Sequence, residues 1–178
     1  MILVAIGTNL AADGYNSPLA TCEAAISALE DLPDIEVLAV SRWYESEPVP
    51  ASDQPWFVNG VVQLETGLDP KALLASLHRL EADFGRIRRT PNEARPLDLD
   101  ILDYNGLAEP GDTETGAPTL PHPRMAERAF VLMPLRDLLH EAGATDWRHP
   151  TTGQGIGGLI AMLPSPGPSI RQAGEGGS

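Results

Sequence analysis

The chain has 178 residues, 42% of them hydrophobic, which is enough for one domain with a real core. Its formal net charge of −13 argues against general nucleic-acid binding, which runs on phosphate neutralisation, and against docking on an anionic membrane. A single cysteine, Cys22, excludes an internal disulfide and suits a reducing, cytoplasmic setting. No apolar run reaches membrane-spanning length, and residues 1–7 lack the charged flank of a signal peptide.

In chain order, residues 2–6 read as a buried strand ended by Gly7-Thr8-Asn9. Ser17-Pro18 starts a helix, with Ser as cap and Pro in the first turn, and Leu19, Cys22, Ile26 and Leu29 mark its apolar face. On that face Cys22 reads as a small core residue, not a nucleophile. Residues 35–44 read as one strand, and the Pro-rich stretch 45–55 as a long loop of the kind that carries function. Residues 56–65 alternate as a second strand, with Phe57 and Asn59 on one face. A flat ring beside an amide suits a planar heterocycle, and equally an ordinary sheet face with a wet Asn. Asp69-Pro70 caps another helix, with Leu73, Leu77, Leu80 and Phe84 inward; His78 and Glu81 read as a surface pair.

Residues 95–102, Arg-Pro-Leu-Asp-Leu-Asp-Ile-Leu, alternate with period two. Leu97, Leu99 and Ile101 point to a core, and Asp98 and Asp100 to the other face, ~7 Å apart along the backbone. Five arginines, Arg79, Arg86, Arg88, Arg89 and Arg95, fall within 79–95, out of 12 basic residues in all. Carboxylates for Mg²⁺ and guanidiniums for phosphate oxygens are what a Mg-nucleotide site requires. The same charges also fit a solvated face closed by salt bridges. No phosphate-binding glycine loop is present, so side chains must hold any phosphate.

Residues 109–118 read as a flexible surface insertion, 124–129 as a helical turn, 130–140 as a third helix and 156–163 as a short one. Two strand–helix–strand units predict an α/β sandwich of ferredoxin-like order, with a mixed or antiparallel central sheet and helices packed on it. The organisation expected is one domain over 1–163 and a loose Pro/Gly-rich tail over 164–178.

Several fragments together resemble 6-hydroxymethyl-7,8-dihydropterin pyrophosphokinases over residues 2–163. They are Ala5-Ile6-Gly7-Thr8-Asn9-Leu10, Asp53-Gln54-Pro55-Trp56-Phe57-Val58-Asn59, Gly85-Arg86-Ile87-Arg88, the central 95–101 motif, and Leu120-Pro121-His122 followed by Arg128-Ala129-Phe130. The resemblance implies a ferredoxin-like fold and transfer of pyrophosphate from ATP to the pterin's hydroxymethyl group, with AMP leaving. It implies that Asp98 and Asp100 hold two Mg²⁺ ions and that Arg86 and Arg95 stabilise the transferring group. Phe57 and Phe130 would sandwich the pterin, Asn59 would bond its edge, and backbone near Ser46 and Val49 would complete the pocket. Glu81, Arg88, Ile101, Thr119, His122 and Arg128 match positions lining ATP. ATP and the pterin are the partners implied, with no nucleic acid, membrane or protein partner. The chain departs from the family at Glu93-Ala94, where Trp-Gly-Pro is common, and at Glu47, His78 and Pro123. A non-catalytic ferredoxin-like binding module is the alternative; it accounts for the fold but not for the arginines beside Asp98 and Asp100. An RNA-binding domain is disfavoured by the acidity, and a D-x-D nucleotide-sugar transferase by the chain length.

Overall fold

A computed structural model describes residues 1–85, 96–165 and 167–174. The elements are β1 (Ile2–Thr8), α1 (Pro18–Glu30), β2 (Ile35–Val40), β3 (Tyr44–Ser46), β4 (Phe57–Thr66), α2 (Pro70–Asp83), β5 (Asp98–Tyr104), α3 (Ala129–Glu141), α4 (Ile156–Ala161) and β6 (Ile170–Gln172), with a short helical turn at Met125–Glu127. The strands form one sheet in the order β5-β1-β4-β3-β6, with β2 also paired to β4, and every pairing is antiparallel.

Alternation along the strands sends one set of side chains to each face. Ile2, Val4 and Ile6 of β1, Val58, Val62 and Leu64 of β4, and Leu97, Leu99 and Ile101 form a core with Cys22, Ala25 and Leu29 of α1 and Leu73, Leu77 and Leu80 of α2. On the other face Leu3, Val61 and Leu102 meet Val131, Leu135, Leu138 and Leu139 of α3. The helix starts follow from their caps. Ser17 Oγ accepts from Ala20 N at 3.1 Å and Asp69 Oδ1 from Ala72 N at 2.8 Å, each with proline in the first turn, as the sequence predicts. The strand facing of Leu97, Leu99 and Ile101 is likewise as expected; they are 0%, 0% and 3% exposed.

Five expectations need correction. The single strand expected over 35–44 is two strands, β2 and β3, broken at 41–43. Ser41 Oγ takes a ladder role there, accepting from Val61 N at 2.9 Å, and Trp43 packs its ring on Gly60. The loop expected from residue 45 therefore begins only after Ser46. The stretch 109–118 is a hydrogen-bonded hairpin: Glu109 and Leu120 exchange two bonds of 2.9 Å, and Asp112 Oδ1 accepts from Glu114 N at 2.8 Å to turn the chain. Part of the expected loose tail is β6, an added strand on β3. Glu81 is not a surface residue; it is 1% exposed and its Oε1 accepts from Leu99 N at 2.8 Å. Among the described residues β5 pairs only with β1 and forms the sheet edge, and the α2 carboxylate accepts from Leu99 N on the outer side.

Candidate active site

Helix α3 covers only part of its face of the sheet, packing on β4 and β3, where Tyr44 donates to Asp137 Oδ2 at 2.6 Å. The remaining end of that face carries the polar residues. Across the sheet, Gly7 of β1 lies opposite Asp98 of β5 on one side and Asn59 of β4 on the other. One strand, β1, separates Asp98 from Asn59, so two strand spacings put their backbones ~10 Å apart. One step along β1, Ala5 lies opposite Asp100 and Val61. The two smallest side chains therefore occupy the strand between the carboxylates and the amide, which leaves a floor open above β1.

A cavity of about 130 Å³ sits on this floor. Phe57, Phe130 and Arg128 line it with Asn59, Ser46, Gly7 and Asp98, and the loop after β3 closes it with Glu47, Pro48, Val49, Pro50, Ser52 and Gln54. A smaller adjoining cavity shares Gly7, Asn59, Asp98, Arg128 and Phe130 and reaches Asp100. Asn59 is buried; its Nδ2 donates to Ser46 Oγ at 2.9 Å, and its Oδ1 stands over Gly7. Arg128 places its guanidinium 5.4 Å from the centre of the Phe130 ring. The closing loop is tied to the end of β1, where Asn9 Nδ2 donates to Gln54 Oε1 at 3.0 Å.

His122 stands beside the carboxylates, its Nε2 3.8 Å from Asp100 Oδ2. Its Nδ1 accepts from Arg124 N at 3.2 Å, which puts the proton of the neutral ring on Nε2, toward Asp100. Burial lowers its pKa from the usual 6.5; Asp100 opposes that and the Arg128 and Arg124 charges reinforce it. Away from the site, burial pushes the Cys22 thiol up to about 12, which marks it as an inert core residue. Burial and the Asp137 carboxylate raise the Tyr44 phenol.

Of the residues singled out from sequence, Ser46, Val49, Phe57, Asn59, Asp98, Arg128 and Phe130 line one cavity. Asp100 is next to it and His122 next to Asp100. Ile101 is buried in the core, Glu81 is held by β5, and Thr119 accepts from Gly111 N at 3.1 Å at the base of the hairpin. These three do not line the cavity. Arg86, Arg88 and Arg95 lie outside the described residues. Gly7 and Gln54 also line the cavity, and Asn9 holds Gln54 in place; none of the three stands out as a site residue in the sequence. Strand β1 runs on through Gly7 to Thr8, past the end expected after residue 6, and a glycine inside a strand marks a close approach.

An antiparallel sheet with helices on both faces, open at one end over paired carboxylates and an aromatic cavity, defines a small-molecule enzyme site of the α/β type. Residues 3–140 match the family described as 7,8-dihydro-6-hydroxymethylpterin-pyrophosphokinase (HPPK). The chain belongs to that family. It is 42% identical over 150 residues to the 2-amino-4-hydroxy-6-hydroxymethyldihydropteridine pyrophosphokinase of Pseudomonas aeruginosa, covering 83% of this chain and 86% of that one. It is 36% identical over 135 residues to the protein of the same name in Haemophilus influenzae, covering 76% and 79%. It also matches the folic acid synthesis protein fol1 of Schizosaccharomyces pombe at 38% identity over 145 residues, 82% of this chain but 19% of that longer protein.

Proposed function

We infer that the protein transfers pyrophosphate from ATP to 6-hydroxymethyl-7,8-dihydropterin, releasing AMP, as a step of folate biosynthesis. Family membership supports the reaction. The observation that carries the site assignment is the cavity in which Phe57, Phe130 and Asn59 meet Asp98 across Gly7. The pterin ring stacks between Phe57 and Phe130, with offset-stacking affinity that needs no charge. Asn59 Oδ1 is the acceptor for the ring's N–H edge, fixed in direction because Nδ2 is engaged by Ser46 Oγ. The hydroxymethyl arm then points toward Asp98.

Asp98 and Asp100 fit magnesium on their donor chemistry. They are hard carboxylate oxygens on the open face of the sheet, and the Asp100 side chain is 39% exposed. Among the described residues, no group of three or more His, Cys, Asp or Glu could hold a metal ion, so no all-protein cage accompanies the two carboxylates there. Asp98 and Asp100 would be the residues that hold two Mg²⁺ ions, proposed for ATP as co-substrate. Bound there, magnesium would supply positive charge against the transferring phosphates. Arg128, at the junction of the two cavities, places a guanidinium for phosphate oxygens. His122 donates from Nε2 on the nucleotide side of Asp100, and Arg86 and Arg95 are assigned to the transferring group and Arg88 to ATP. Glu81 and Ile101 contribute through the β5 backbone they hold in place, and Thr119 through the chain leading to His122. The loop 47–55 keeps water from the acceptor. No described helix is long and apolar enough to cross a membrane. A cytoplasmic place of action is in keeping with the lone buried cysteine.

The assignment is tested by Phe130→Ala. Losing one stacking face should weaken pterin affinity about tenfold or more, with ATP affinity within about twofold of the parent. Equal pterin affinity in parent and variant would remove the ring from this cavity.

A further inference from the structure

We propose that Arg171 of β6 is a positioning residue for the acceptor pocket, acting from behind the sheet by fastening both ends of the loop that walls it. The inference rests on the reading of that cavity as the pterin site. Strand β6 lies beyond residue 140, where the family match ends.

Along β3, Tyr44 reaches α3 and Ser46 lines the cavity, so Glu45 between them points to the opposite face. Trp56 precedes Phe57 and is turned from the cavity in the same way. Arg171 lies opposite Glu45 in register. Its Nε donates to Glu45 Oε2 at 2.7 Å, its Nη2 stands 2.7 Å from the same oxygen as an ion pair, and its guanidinium carbon stands 4.9 Å from the centre of the Trp56 ring. One side chain therefore grips the residue before Ser46 and the residue before Phe57. Between those two points runs the loop that supplies Glu47 to Gln54 to the cavity wall. A second fastening follows from the same strand: Glu47 N donates to Ser169 O at 3.1 Å, and Ser169 N donates to Glu47 Oε2 at 3.0 Å.

The pair is half-exposed, with side-chain exposures of 55% for Arg171 and 31% for Glu45, so it adds little to global stability. Its effect falls on the loop. A wall whose ends are held in the binding geometry loses less freedom when the ligand enters, and that difference appears in ligand affinity. Lysine at 171 would keep the charge but not the fork, and should serve in part.

Steady-state kinetics on the full chain with Mg-ATP and the pterin test the assignment. Arg171→Met and Glu45→Gln should each raise the pterin KM about three- to tenfold, with kcat and the ATP KM within about twofold and Arg171→Lys in between. The double variant Arg171→Met/Glu45→Gln should be no worse than the worse single one, because the two remove the same contact. A pterin KM unchanged in both single variants would overturn the inference, and so would a lower melting temperature with unchanged KM, since that is a purely structural role. Wild-type protein without pterin-dependent turnover would instead overturn the reading of the site on which the inference stands.

Discussion

Gly7→Ala places a single carbon on the floor of the acceptor cavity. The added Cβ would stand 3.3 Å from Asn59 Oδ1, a contact that forces one of them to give by a few tenths of an ångström. Asn59 is 5% exposed and its Nδ2 is held by Ser46 Oγ at 2.9 Å, so its amide cannot withdraw without weakening that bond. A hydrogen bond of this kind contributes about 1 kcal/mol, equivalent to about fivefold in affinity. Gly7 lies inside a strand, where alanine is otherwise favoured by roughly 0.5–1 kcal/mol through lower unfolded-state entropy. The two effects oppose each other in stability but not in binding. The expected outcome is a urea midpoint close to the parent's with a pterin KM raised about three- to tenfold. Gly67→Ala is the control, because nothing lies within 4 Å of a Cβ added there, and it should leave KM alone. An unchanged pterin KM in Gly7→Ala would refute the placement of the ring edge over Asn59.

Asp98→Asn and Asp100→Asn keep shape and remove charge; each should lower kcat by at least about 100-fold while stability stays within about 0.5 kcal/mol, read by AMP release and urea unfolding. Gly60→Ala puts a Cβ 2.5 Å from a Trp43 ring carbon, so it should lower the unfolding free energy by about 1–3 kcal/mol, read as a lower urea midpoint at constant m-value. Burial lowers the His149 pKa from 6.5, and its Nδ1 accepts from Thr151 N and Thr152 N, both at 3.3 Å. The folded state thus prefers neutral His149: its contribution is full above pH 6.5 and is lost as pH falls below that, because the unfolded chain takes the proton first. His149→Asn should flatten the acid limb of urea stability between pH 7 and 5; an identical slope in both proteins would contradict the assignment.

What the sequence revealed best was local. Alternation over 97–102 identified both the buried leucines and the outward carboxylates, because a strand's period of two is written in adjacent residues. The two capped helix starts and the shared face of Phe57 and Asn59 were legible for the same reason. The break at 41–43 was not, since it depends on Ser41 meeting Val61 across the sheet. Glu81 read as a surface residue because its partner, Leu99 N, is 18 positions away. Strand β6 is three residues long and is recruited by Glu45, 126 positions upstream of Arg171, so no local pattern announces it. The hairpin over 109–118 carries breakers throughout, yet Asp112 and Gly116 use them to turn the chain.

Resolving the adenine nucleotides formed from Mg-ATP, with and without 6-hydroxymethyl-7,8-dihydropterin, tests the central claim most directly. Attack at the β-phosphorus predicts AMP that appears only with the pterin, mole for mole with the pterin diphosphate, and no ADP. ADP as the product, or nucleotide turnover indifferent to the pterin, would contradict it.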